Sequence, residues 1–287
     1  MKRFGLLCAA GVLAGGVFAF AQVQIPEPRR GSGDSVTGAF EGWYYNPDGS
    51  RAFLVGYYNR NSRQELDIPI GPNNHIDPSP NGDMGQPTHF LPGRQWGMFT
   101  VQAPREFKPT DQYSWTIVAN GQTSVIPLRL KADYVMSPFT EIAVGNTPPA
   151  ITFDQNGKAI QGPLAALGLA PTRTATVGTP LPVTVWATDD MKYTSGASAP
   201  MTRERPAVTL RWSKYRGPGA VTFDKVNPTV EKIAGEGAPF SGKATVNAKF
   251  ADPGDYVLHV SANDYSGDGG GGFGCCWTTG LVRVTIK

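Results

Sequence analysis

Histidine, cysteine and charge are all scarce in this chain. Its 287 residues include three histidines and three cysteines. No G-x-S-x-G, H-E-x-x-H or C-x-x-C occurs. The usual serine-hydrolase elbow, zinc-protease helix and dithiol redox motif are therefore missing. Charged residues make up only 17%, and beyond residue 21 there is no Lys/Arg cluster other than the dipeptide Arg29-Arg30 in the lead segment, which excludes a nucleic-acid partner. Helical periodicity is nearly absent, and only Pro163–Leu169 suggests a turn or two. No apolar run after the first twenty or so residues is long enough to span a bilayer. The run Gly269–Gly272 precedes a strand pattern, not a helix, so it is no phosphate cradle.

Glycine (35) and proline (25) are abundant. Together with low charge they predict many short strands joined by turns. The N-terminus reads as a signal peptide over residues 1–21. Lys2 and Arg3 are its charged start, Phe4–Phe18 its apolar run, and Ala19-Phe20-Ala21 its cleavage site. Cleavage near Ala21 lowers the formal charge from +3 to about +1 and implies an extracytoplasmic protein, periplasmic or secreted. Residues 22–36 read as a flexible leader.

The remainder divides into two β-sandwich domains, 37–145 and 146–287, with Asn146-Thr-Pro-Pro149 at the boundary. The first carries two hairpins. One is Trp43–Tyr45 with Ala52–Val55 around Asn46-Pro-Asp-Gly49; the other is Tyr113–Ala119 with Ser124–Leu130 around Asn120-Gly121. A long stretch, Gly71–Pro92, reads as a loop without regular structure. The second domain alternates with period two. Leu181, Val183, Val185 and Ala187 share one face, as do Val208, Leu210 and Trp212, and as do Tyr256, Leu258, Val260 and Ala262. The opposite faces are polar, which predicts strands with one side on a core and one in water.

Trp212-Ser-Lys followed by Gly217-Pro-Gly-Ala-Val-Thr-Phe223, and Asp252-Pro-Gly-Asp-Tyr-Val-Leu258 followed by Ala262-Asn-Asp264, carry a resemblance. Through them residues 146–287 resemble bacterial immunoglobulin-like domains of the PKD type. The resemblance implies that Trp212 packs at the core centre and that Tyr256 forms a tyrosine corner. It departs from antibody domains at the disulfide, with Leu258, Val183 and Val185 where cysteines would stand. The first domain, with Glu41-Gly-Trp-Tyr-Tyr-Asn-Pro-Asp-Gly49, looks like uncharacterised secreted bacterial proteins, which implies no activity.

In such a sandwich the B–C and F–G loops share one end. That would bring Asp189 and Asp190 to Asp264, Asp268 and the adjacent pair Cys275 and Cys276. Two readings stand for the carboxylates: a binding surface holding Ca²⁺, or residues that cap turns. For the cysteines the readings are a vicinal disulfide, thiolate metal ligation, free thiols or intermolecular pairing. In the first domain His75, His89, Asp77 and Asp83 share the long loop and form a candidate metal set. His259 is expected on a strand surface. Trp43, Tyr44, Tyr45, Tyr57 and Tyr58 crowd the first hairpin, as a sugar-stacking face or a buried strand. Trp186 points outward, a candidate contact.

The function these features favour is a non-catalytic binding or surface-assembly protein with a protein or polysaccharide partner. No cofactor is firmly implied and Ca²⁺ is the candidate. The alternatives are carbohydrate binding through Trp43 and Tyr45, and a metal-binding protein or enzyme built on His75 and His89.

Overall fold

The computed structural model describes residues 30–141, 145–163, 167–192, 206–233, 239–264 and 275–287. The signal-peptide reading and Asp268 lie outside the described residues. Among these residues there is no α-helix, and no helix long and apolar enough to cross a membrane. The protein is all-β.

Eight strands precede residue 130: β1 (Val36–Tyr45), β2 (Arg51–Asn59), β3 (Leu66–Asp67), β4 (Asn74–Asp77), β5 (His89–Phe90), β6 (Gly93–Ala103), β7 (Tyr113–Ala119) and β8 (Gln122–Leu128). They form sheets ordered β1-β2-β6 and β4-β7-β8, with β3 paired to β5. The β7–β8 hairpin turns on Asn120 and Gly121, both at positive φ (49° and 74°), as a two-residue hairpin loop requires. Phe53, Val55, Phe99, Val101, Trp115 and Ile117 fill the space between the sheets.

Two stretches expected to be irregular are ordered. Within 71–92, Asn74 is fully buried. Its amide donates to the carbonyls of Ile68 (2.9 Å) and Pro87 (2.8 Å) and accepts from Trp115 Nε1 at 3.0 Å. Buried side-chain amides thus take over the backbone pairing that strand patterning could not reveal. The described end of the leader is also tied down. The carbonyls of Arg30, Gly31 and Ser35 accept hydrogen bonds from Ser62, Arg63 and Arg60.

Ten strands follow: β9 (Ala150–Thr152), β10 (Ile160–Gln161), β11 (Thr172–Ala175), β12 (Leu181–Asp189), β13 (Thr209–Arg216), β14 (Val221–Phe223), β15 (Glu231–Lys232), β16 (Phe240–Phe250), β17 (Gly254–Asn263) and β18 (Trp277–Ile286). One sheet runs β10-β9-β12-β16-β14, with β15 also on β16; the other runs β11-β18-β17-β13. Among the described strands only β11 and β18 pair in parallel. With β9, β12, β16 and β14 as strands A, B, E and D, and β13, β17 and β18 as C, F and G, this is the immunoglobulin-like strand order. Trp212 is 2% exposed in the core. Tyr256 Oη donates to Asp252 O at 2.8 Å and accepts from Gly219 N at 3.1 Å, a tyrosine corner. Gly219 is required there, since a Cβ would come within 2.8 Å of that hydroxyl.

The two sheets differ in their outer faces. On β16, Lys243, Thr245, Asn247 and Lys249 are exposed, as alternation predicts. The C–F–G face departs from it: Ser213, Tyr215, His259, Thr279 and Leu281 are all buried. The first domain covers that face. Tyr215 and Leu281 belong to the first domain's hydrophobic core. Arg216 makes a bidentate pair with Asp83 (2.8 and 2.9 Å), and Lys214 reaches Asp67 at 2.8 Å. Backbone joins in, with Thr88 N donating to Tyr215 O at 3.1 Å. Arg216→Ala removes the bidentate pair and is expected to lower unfolding stability by about 1–3 kcal/mol. Urea denaturation monitored by tryptophan fluorescence checks this; an unchanged midpoint would contradict the docking.

Candidate functional site

The seam between the domains contains a cleft with a cavity of about 90 Å³. Its first-domain wall comes from an irregularity in β6. Val55 pairs with Phe99 and Tyr57 with Gln95, so Trp96, Gly97 and Met98 all stand opposite Gly56. The extra residues bulge out of the ladder. Gly97 sits at φ +52°, and a Cβ there would lie 2.5 Å from Cζ2 of Trp277, so glycine lets the second domain close in. Trp96 is left 42% exposed at the cleft.

Glu41, on a matching irregularity in β1, holds this bulge. It accepts from Arg94 Nη2 at 2.8 Å and from Gly97 N at 2.9 Å. Burial pushes its carboxyl up to about 7, against the Arg94 guanidinium and the Gly97 N–H, which favour the charge. The same guanidinium stacks 3.8 Å from the Trp96 ring centre.

The second-domain wall presents Arg211, Ser261, Asn263, His259 and Trp277. His259 is 5% exposed, not the surface residue its alternation suggested, because the first domain lies over it. It stacks on Tyr215 with ring centres 6.0 Å apart. Burial, then the Arg211 charge, lowers its pKa to about 4, so the ring is neutral near pH 7. Among the described residues, three that line the cleft have a buried polar atom without a partner: His259 Nε2, Asn263 Oδ1 and Trp277 Nε1. Each such group costs about 1–3 kcal/mol. Ser213 Oγ lies 3.4 Å from His259 Nδ1. This pair is not an activated nucleophile: the contact is long, the ring is a weak base, and no carboxylate among the described residues orients it.

The loop end of the second domain brings together Asp189, Asp190 and Asp264. The Asp189 carboxyl is pushed up to about 7 by burial, then by the charges of Asp264 and Asp190. Asp190 Oδ2 accepts from Thr147 N (3.2 Å) and Thr147 Oγ1 (2.9 Å), so the chain joining the domains enters here. Cys275 and Cys276 form a vicinal disulfide, 4% and 0% exposed.

The histidine set does not assemble. His75 pairs with Asp77 at 3.2 Å, while His89 turns to Asp67 (2.9 Å) and Glu65 (3.2 Å). Asp83 is committed to Arg216, whose guanidinium holds its carboxyl below the ordinary range. Among the described residues no three His, Cys, Asp or Glu side chains group to hold a metal ion.

The aromatic face proposed for the first hairpin is also absent. Trp43 is 7% exposed, with Nε1 donating to Lys131 O at 2.7 Å, and Tyr44 and Tyr57 are fully buried. Only Tyr45, 57% exposed, stands out. Trp186 is half-buried on the outer side of β12, between Thr152 and Lys243. Trp96 went unremarked in the sequence, although a tryptophan beside a glycine inside a strand pattern signals a bulge.

No protein-family model matches this chain, and no curated protein matches it. Among solved structures it is similar to one described as "Anomalous substructure of Titin-A168169". That match is 9% identical over 87% of this chain and 98% of the other, with a TM-score of 0.25, too low to carry an argument.

The raised carboxyls make stability depend on pH. Glu41 faces Arg94, and Asp189 faces Asp190 and Asp264. Both bind protons more tightly folded than unfolded, so stability falls as pH rises through about 7. Unfolding midpoints in metal-free buffer are expected to drop between about pH 6.5 and 8. Asp189→Asn and Glu41→Gln should each flatten part of the slope; a rising midpoint would contradict the assignment.

Proposed function

We propose that this chain is a non-catalytic binding protein working outside the cytoplasm, and that it holds a saccharide in the cleft between its domains. The observation that carries this reading is Trp96. It is the exposed indole at the cleft, fixed by the β6 bulge and backed by the Arg94 guanidinium at 3.8 Å. An indole offers an apolar face with a polar edge. The C–H face of a sugar ring lies well against such a surface, while its hydroxyls seek polar partners. Gln95, Arg211, Ser261 and Asn263 line the same cleft and supply them. The small cavity suits one ring or less, below the usual range for drug-sized ligands. The three unpaired polar atoms place part of the seam's cost at this cleft, so local opening to admit a ligand is cheapest there.

The Met1–Ala21 pattern supports export, and the disulfide at Cys275–Cys276 accords with an oxidising compartment. The PKD-type resemblance of residues 146–287 belongs with the same reading. A second reading, surface assembly through the loop end, is favoured by Met191. It is 41% exposed and sits at φ 54° beside the acidic group.

Affinity electrophoresis against a panel of neutral and acidic polysaccharides tests the proposal. At least one polymer is expected to retard the wild-type chain. Trp96→Ala should abolish that retardation and Tyr45→Ala should leave it intact. Mobility unchanged by every polymer, or retained in Trp96→Ala, would overturn it.

A further inference from the structure

The cleft at the domain seam carries charge of one sign. Among the described residues its lining holds two arginines, Arg94 and Arg211, and no aspartate or glutamate. Arg94 is paired with Glu41 behind the bulge, at 2.8 Å. Arg211 is exposed, and no carboxylate or hydrogen-bond acceptor among the described residues engages it. The sign of the cleft is therefore positive, and Arg211 is its uncommitted charge.

Strand register sets Arg211 among donors. Across β13 and β17, Arg211 pairs with Ser261 and Ser213 pairs with His259. On this face Arg211 stands opposite Ser261 and diagonal to His259, a separation of about 7–8 Å that a long side chain spans. His259 is 5% exposed and its Nε2 has no partner. Its Nδ1 faces Ser213 Oγ at 3.4 Å; with that hydroxyl donating, the ring proton is on Nε2. Ser261 Oγ accepts from Asn263 Nδ2 at 3.3 Å and has its own proton left to give. Trp277 Nε1, which can only donate, is also unmet. The lining is thus rich in donors, with Asn263 Oδ1 as its unmet acceptor. A buried donor left unmet is costly, and a ligand that accepts removes that cost.

We propose that the sugar held in this cleft is a uronate, with its carboxylate on Arg211, accepting from Ser261 Oγ and His259 Nε2, and its ring against Trp96. The inference rests on the saccharide reading and narrows it. A carboxylate is planar with two acceptor oxygens, so it matches the guanidinium fork, and charge-assisted hydrogen bonds are about twice as strong as neutral ones. A neutral sugar leaves the Arg211 charge unanswered. In a uronate the carboxyl carbon is bonded directly to the ring, so ring and anion fit together in a cavity of about 90 Å³. A sulfate ester carries its charge further out, beyond a bridging oxygen. Asn263 Oδ1 then accepts from a hydroxyl of the same ring.

The test is affinity electrophoresis of the full chain at about 0.15 M salt, which screens contacts between exposed charges. The probes are polygalacturonate, alginate, methyl-esterified polygalacturonate, dextran sulfate and dextran. At least one of the two uronate polymers is expected to retard the wild-type chain. The esterified polymer keeps every ring and loses the charge, and should bind about tenfold or more weakly than its acid form. Arg211→Gln should weaken uronate binding by a similar factor. Lys243→Gln, on the exposed outer face of β16, should leave it unchanged. Comparing the two polygalacturonate forms on the wild type needs no variant, so the test stands even where Arg211→Gln does not fold. Retardation by dextran or the esterified polymer that Trp96→Ala abolishes and Arg211→Gln leaves intact would overturn the uronate and keep the saccharide cleft. Dextran sulfate binding as tightly as the uronates, or equal losses in Arg211→Gln and Lys243→Gln, would show a response to charge alone and overturn it too. No retardation by any polymer would overturn both readings.

Discussion

The rest of the structure depends on the first domain sitting over the C–F–G face of the second. Tyr215 is the centre of that contact. It leaves β13 and enters the other domain's core, while Lys214 and Arg216 on either side reach Asp67 and Asp83. An apolar anchor flanked by charge pairs fixes both position and orientation, because each pair is satisfied in one register only. The sheet that bears it is covered on both faces, so the two domains present a shared surface.

That docking creates the site. Gly97 lets the Trp277 ring approach the β6 bulge, and the bulge in turn turns Trp96 out to solvent. Glu41 stabilises the bulge from behind through Arg94 and the Gly97 amide. His259 is neutral and Trp277 Nε1 unpaired for the same reason: the cover removes water without replacing every hydrogen bond. At the far end of the same strands, the chain that links the domains runs through the carboxylates of Asp190 and Asp264. Loop chemistry and domain arrangement are thus coupled through Asn146 and Thr147.

Residues whose role is local were legible in the sequence. Period-two alternation assigned Trp212, Leu258 and Val260 to the core, and the Asp252-Pro-Gly-Asp-Tyr256 turn marked the tyrosine corner. The meeting of Asp189 with Asp264 was expected from the immunoglobulin-like resemblance, which sets the B–C and F–G loops at one end. What failed to show was anything set by contact between domains. His259 and Ser213 alternate outward and look solvated, because periodicity reports which side of a sheet a residue takes and not what lies beyond it. Asp83 looked like a metal ligand until Arg216, far along the chain, claimed it. Trp43 and Trp96 are both strand tryptophans. Each stands beside a glycine at a register shift, and what separates them is the cover: the 131–136 segment lies over Trp43, whose Nε1 donates to Lys131 O, while Trp96 is left at the cleft.

The central claim is that the first domain covers the outer face of β17 in solution. The most direct measurement is the titration of the His259 ring by NMR in the full chain, assigned with a His259→Asn variant. The account predicts that its resonances stay constant from about pH 8 to 5 and move only towards a midpoint of about 4. A midpoint near 6.5, the value of a solvated imidazole, would show the face open to water and contradict the docking.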